Sequence, residues 1–251
     1  MKNPFRYLKD NWLKYGFETA AIIVGILGAF ALSTWHEIRK EDDSEKAYLV
    51  NLMVDLESHL ENIENQITFE NTVRKNCVEI LDLIGEAPYD IPQLNSRLSQ
   101  LGRRSFVISR PVFEDLKYSG HLSMISESSL RHALFKYYQY VDYIEMVVAS
   151  NNSSYVDKMS YQVMFDIPLL DHGFTKNLTV GLDLDFSLDV EPFSGSDELI
   201  ISQLENNKVR FTLHNMMVMR GRTSTLQAYL LDELKAETLL LITQLEDILD
   251  Q

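Results

Sequence analysis

Hydrophobic and polar positions divide the chain into three kinds of pattern. Thr19 to Trp35 holds seventeen residues without a charge, the short end of what crosses a bilayer as a helix. From Tyr48 onward the apolar positions Leu49, Leu52, Leu56, Leu60, Ile63 and Ile67 recur at three-and-four spacing, and Val73, Cys77, Ile80, Leu81 and Ile84 carry the pattern on. That spacing predicts an amphipathic helix over 45–84, closed by Gly85 and Pro88. Shorter helices are predicted over 94–101, between Pro92 and Gly102, and over 112–119, with Pro111 in its first turn and Gly120 as a left-handed cap. The Ser126 region caps a longer helix with the face Leu130, Leu134, Tyr138, Val141 and Val148. Ser196-Asp197-Glu198 opens a last helical region, with the stripe Leu213, Met216, Met217, Leu226, Leu230, Leu234, Leu241, Leu245 and Ile248 and a candidate kink at Gly221. Residues 178–190 instead alternate, Leu178, Val180, Leu182, Leu184, Phe186, Leu188 and Val190 against polar neighbours, which predicts an extended, β-like segment.

The predicted fold class is mainly α: an N-terminal transmembrane helix followed by a bundle of long helices. Ten glycines and six prolines in 251 residues, about half the usual share, agree with long uninterrupted helices. The organisation reads as a basic segment 1–15, a membrane helix 16–36 and one helical extramembrane domain 37–251. The 45–84 helix is expected to pair antiparallel with the last one. Between them and the span, Arg39 to Glu45 contains no Gly or Pro, so either a residue among Asp42, Asp43 and Ser44 caps a new helix or the membrane helix runs straight through.

Charge separates the ends. The formal net charge is −14, yet residues 1–15 carry Lys2, Arg6, Lys9 and Lys14 against Asp10, leaving −17 on the rest. Such an acidic body excludes nucleic acid as a natural partner, because phosphate neutralisation needs clustered Lys and Arg. The bilayer itself is the first partner, with aromatic residues Trp12, Tyr15, Phe17 and Trp35 flanking the span. A cleaved signal peptide competes, since Ala29-Phe30-Ala31 has the small-x-small form, but the apolar run continues past it. Four Lys and Arg before the span against Arg39, Lys40 and Lys46 after it favour a cytoplasmic N-terminus and a body in the periplasm or outside.

Within the span, Ala21, Gly25, Ala29 and Ser33 recur every four residues, a spacing that lets helix backbones approach closely and points to a homo-oligomer. Glu18 and His36 end a stripe through Ile22, Gly25, Ala29 and Leu32. Glu18 is read either as a first-turn carboxylate favoured by the helix dipole or as an ionisable site in a pore. The exit Trp35-His36-Glu37, with Glu18 and Val24-Gly25-Ile26-Leu27, resembles an uncharacterised family of bacterial single-pass membrane proteins. So do Leu116-Lys117, Ser119-Gly120, Leu122 and Ile125, followed by Leu130-Arg131 and Tyr137-Tyr138. Here His36 and Ser33 stand where that family usually has Asn. The resemblance implies one N-terminal span, a helical body and a membrane location, and no known activity.

Chemistry adds little. None of the six histidines lies four residues from another or three after a Glu, which removes the HExxH and Glu-x-x-His metal patterns. Asp55 and His59, one turn apart, read as a surface pair. Cys77 reads as a buried small hydrophobe. Asp183, Asp185 and Asp189 lack the Gly and Glu of a calcium loop. The aromatic run Phe135, Tyr137, Tyr138, Tyr140, Tyr143 is either a ligand cage or bundle core, the latter being commoner. No catalytic, cofactor or metal residue is assigned and no cofactor is expected. Two readings remain: a sensing or protein-interaction module tethered to the membrane, alone or with another membrane or periplasmic protein, and a homo-oligomeric ion or proton channel built from the span.

Overall fold

The structure, a computed structural model, describes residues 12–167, 169 and 193–250. The first helix, α1, runs unbroken from Trp12 to Leu83 over 72 residues, roughly 108 Å at 1.5 Å per residue. The charged stretch after the span starts no new helix: with neither Gly nor Pro from Ala29 to Ile84, nothing interrupts the backbone ladder. Ser44 instead bonds back along the helix, its hydroxyl donating to the Lys40 carbonyl at 2.8 Å.

Short helices α2 (Ile91–Leu98) and α3 (Pro111–Tyr118) follow, each with proline in its first turn, where no backbone donor is lost. Asp90 caps α2 by accepting from the Gln93 amide at 3.0 Å. Gly120 has φ +76° at the turn after α3, the left-handed conformation expected of it. Helix α4 (Ser128–Asn151) is capped by Glu127, not Ser126. Ser126 is used elsewhere: its amide and hydroxyl donate to Glu45 of α1 at 2.7 and 2.8 Å.

The chain past α4 stays helical through a π turn (Asn152–Val156), α5 (Asp157–Tyr161) and a second π turn (Gln162–Asp166). Its inward seam runs through Leu130, Leu134, Tyr137, Val141, Ile144 and Val148, with Tyr138 buried beside it, then Asn152 and Val156 at steps of four, then Met159 and Val163. Steps of four would walk an ideal helix off its seam; the wider π turns absorb the extra residue and keep one face inward. The last region is two helices, α6 (Ser196–Glu205) and α7 (Asn207–Leu249). Asn206 breaks it, with extended backbone and a side chain that accepts from the Lys208 amide at 2.9 Å. At Gly221 α7 is continuous, and the absent side chain lets Cys77 approach: a Cβ there would lie 3.7 Å from that of Cys77.

Helices α1 and α7 pair antiparallel, as expected, and their buried faces follow one rule. Along α1 the seam runs through Leu49, Leu52, Leu56, His59, Ile63, Gln66, Glu70, Val73, Cys77 and Ile80 and continues at Ile84 just past its end, with Asn76 buried beside it; on α7 it runs through Leu213, Met217, Arg220, Ser224, Gln227, Leu231, Leu234, Thr238, Leu241 and Leu245, with Thr223 and Ala228 buried beside it. Steps of three and four alternate throughout, the seven-residue repeat of a coiled-coil seam. Two sequence expectations are corrected. Leu60 and Ile67 are only partly buried and yield the seam to His59 and Gln66, while Leu226 is 50% exposed and yields it to Ser224 and Gln227.

Apolar side chains gather in two clusters along this spine. One joins Leu49, Leu52, Leu56 and Ile63 to Leu134, Val141, Ile144, Leu234 and Leu241. The other joins Val73, Cys77 and Ile80 to Leu94, Val163, Leu204, Leu213 and Met217. Among the described residues there is no strand, and the extended segment read at 178–190 lies outside them. Replacing Leu56, fully buried, by Ala is expected to cost about 2–5 kcal/mol in chemical denaturation followed by circular dichroism. Val54→Ala, at a position 58% exposed on the face of α1 away from the seam, should cost less than about 0.5 kcal/mol.

Candidate functional site

The apolar part of α1 is long and apolar enough to cross a membrane, and none of its apolar window is buried by the body. Phe17, Ile22, Val24, Ile26, Leu27, Phe30 and Leu32 all stand open, 62% exposed or more. Ala21, Gly25, Ala29 and Ser33 are exposed on this helix, as are Glu18 near its start and His36 at its exit. A Cβ added at Gly25 or Gly28 would meet nothing. At the exit the Arg39 guanidinium lies 5.4 Å from the Trp35 ring centroid, a cation–π contact suited to the headgroup level.

The body holds an ion pair that apolar spacing does not signal. Arg220 of α7 and Glu70 of α1 meet in the seam with side chains 1% and 2% exposed, Nη1 lying 3.4 Å from Oε2. Burying two charges is tolerable only when their remaining hydrogen-bonding capacity is used. Arg220 donates to the Ser224 hydroxyl at 2.6 Å and to the carbonyls of Leu101 and Gly102 at 3.5 and 3.2 Å. Glu70 accepts from Gln66 at 3.1 Å and, with the Gln227 amide turned toward it, from Gln227 at 2.9 and 3.1 Å. The network ties α1, α7 and the connection after α2 at one level. Beside it, burial pushes the Cys77 thiol up to about 11, so it is neutral and unreactive.

A second polar bridge crosses the seam at His59, 1% exposed. The Nε2–H donates to the Ser109 carbonyl at 2.7 Å, and Nδ1 lies 3.1 Å from the Tyr137 hydroxyl, itself 3.1 Å from the Thr238 hydroxyl. Three segments of chain therefore meet at one imidazole, and α7 joins them through the Tyr137 hydroxyl. Burial lowers the His59 pKa, opposed by the Ser109 carbonyl and Asp55 and assisted by Arg110. The same burial holds the Tyr137 hydroxyl up at about 12. At neutral pH the ring is uncharged, so Nδ1 accepts from Tyr137. The surface pair read at Asp55 and His59 is thus corrected: His59 is core, and the Asp55 carboxylate accepts from the Val112 amide at 3.2 Å. The seven-residue period across the apolar gaps was the signal that could have placed both bridges on the seam.

Of the aromatic run, Tyr137 and Tyr138 are core, and Tyr138 stacks on Phe113 with centroids 4.0 Å apart. Tyr140 and Tyr143 face outward with stacked rings 6.2 Å apart. They line a groove of about 550 Å³ between α4 and α7, with Lys136, Gln139, Glu233, Ala236 and Glu237. Among the described residues no three His, Cys, Asp or Glu side chains converge as metal ligands. No protein-family model, curated protein or solved structure matches the chain.

Glu70→Gln should cost about 3–5 kcal/mol in urea denaturation, because it strands the Arg220 guanidinium in the core. The joint change Glu70→Leu with Arg220→Met should cost clearly less than the sum of its parts, and equal, additive losses would contradict a coupled pair. For His59 the folded pKa is below the ordinary value of about 6.5, so the unfolded chain binds the proton more readily. Stability is then full above about pH 6.5 and declines as pH falls below it. His59→Gln should flatten that part of the stability–pH curve.

Proposed function

We propose that the chain is a single-pass protein of a bacterial inner membrane, N-terminus in the cytoplasm, whose helical body serves as a sensing or protein-interaction module. The observation that carries this reading is the continuity of α1. The helix that presents the apolar window is also the helix that supplies half the seam of the body. A tether needs only a flexible linker, whereas a rigid helix of this kind passes a shift or rotation of the body directly to the membrane segment. The resemblance to single-pass bacterial proteins supports the same location. The face of Ala21, Gly25, Ala29 and Ser33 supports a homo-oligomer.

The module reading is tested by placing a photo-crosslinking amino acid at exposed body positions, Val107, Tyr143 and Phe211, and at Ile26 in the span, in native membranes. Body positions are expected to give at least one discrete adduct with a different protein, and Ile26 adducts only with lipid or a second copy. Absence of any protein adduct from the body, or ion flux through the purified protein in liposomes that Glu18→Gln abolishes, would overturn it.

A further inference from the structure

Two cavities lie on the outer side of the seam between the α4–α5 helical run and α7, and no residue of α1 lines either. One is the tyrosine groove already described. The other, about 430 Å³, is lined by Tyr155, Lys158, Met159, Phe211, Met216 and Met219 among others. Between and beyond them, in register on α7, Leu226, Tyr229 and Leu240 are 50%, 58% and 59% exposed, and on α4 Met146 is 61% exposed. Phe211 to Leu240 is roughly 44 Å of helix. An apolar strip of this length between two helices has the form of a groove that receives a further amphipathic helix.

The charges say which helix. Residues 207–225 contain Lys208, Arg210, Arg220 and Arg222 and no acid, whereas the rest of α7 is acidic. At the acidic end both Glu233 oxygens are taken up by tyrosines of the two walls, Tyr140 at 2.9 Å and Tyr229 at 2.5 Å. These hydroxyls hold the Glu233 carboxyl below its usual range, so it is a fixed negative charge beside the stacked Tyr140 and Tyr143 rings. Glu237 lies in the same wall, and among the described residues Lys136 is the one cation lining that cavity. A carboxylate set against tyrosine faces suits an ammonium or guanidinium group. A second copy anchored in the same membrane would run parallel and set acidic end against acidic end, so like charges oppose it.

Resting on the module reading above, we propose that this groove binds an amphipathic helix of a different protein, cationic where it meets Glu233 and Glu237. The test uses the full chain in nanodiscs of zwitterionic lipid. Two labelled peptides of about 18 residues, five turns, share one leucine pattern and carry Lys or Glu at the polar positions. Anisotropy is read net of empty nanodiscs. The Lys peptide is expected to bind and the Glu peptide not. Glu233→Gln with Glu237→Gln, or Tyr143→Ala, should weaken binding about fivefold or more, while Val54→Ala on the far face leaves it unchanged; circular dichroism confirms that each variant folds. Equal binding of both peptides, no binding, or indifference to the groove variants would overturn the proposal. So would a detergent-corrected mass that halves in Tyr143→Arg, which would put a second copy in the groove. A heteromeric adduct from Val107 without peptide binding would remove the groove and leave the module, whereas loss of every protein adduct removes both.

Discussion

The body is organised around one constraint: Arg220 and Glu70 must meet. An antiparallel pair of seven-residue repeats can slide by one repeat and still match leucine to leucine, so apolar packing alone sets register weakly. Sliding α7 by seven residues would carry Arg220 roughly 10 Å along the axis from Glu70, leaving two buried charges without partners. That penalty exceeds anything regained in apolar contact. The pair thus specifies alignment more than it stabilises, and the polar groups around it follow from the same demand. Gln66, Gln227 and Ser224 occupy seam positions because the ions need their hydrogen bonds. The Leu101 and Gly102 carbonyls are drawn in for the same reason, which fixes the connection after α2 against the spine.

Register once set, the second bridge falls into place. His59 and Thr238 reach opposite sides of the Tyr137 hydroxyl only when α1 and α7 are aligned as the ion pair requires. Tyr137 comes from the third helix, so this bridge orients α4 about its own axis. The connection before α3 is then clamped from both flanks, by His59 on the Ser109 carbonyl and by Arg110 on Asp142 and Glu145 at 2.6 and 3.0 Å. The π turns complete the arrangement, since without them the chain beyond Val148 would rotate its apolar residues out of the second cluster.

Most of the framework was legible from apolar spacing: the helix over 45–84, the short helices within three residues, the α4 face and the antiparallel pairing. What escaped was polar. His59, Gln66 and Glu70 look like interruptions of a leucine stripe, and Leu60, Ile67 and Leu226 look like its continuation. Only the partner helix decides between them, because a buried charge is acceptable only where its counter-charge, 150 residues away in this chain, folds back to it. The break at Asn206 and the π turns are likewise settled by packing, since both alternatives satisfy local propensity. The tyrosine groove is half visible in the sequence: the aromatic run falls within one stretch of chain, but Glu233 lies 93 residues from Tyr140.

Because α1 is one helix, the faces of span and body are fixed in angle to each other. At about 100° per residue, Ala21, Gly25, Ala29 and Ser33 project on the side of α1 roughly opposite the seam, the side that also carries Val50 and Val54, 45% and 58% exposed. Copies joined through the small residues of the span would therefore continue their contact along the bare back of α1, with α4 and α7 turned outward. In that arrangement self-association and the α4–α7 groove use opposite faces of the molecule and do not compete. On the proposed reading, a partner helix seated in the groove would press on the seam from outside, and its effect would reach the apolar end of α1 through the angle at which the backs of two α1 helices meet. The rigidity of α1 is what makes such a coupling physical, since a flexible joint at Arg39 to Glu45 would dissipate it.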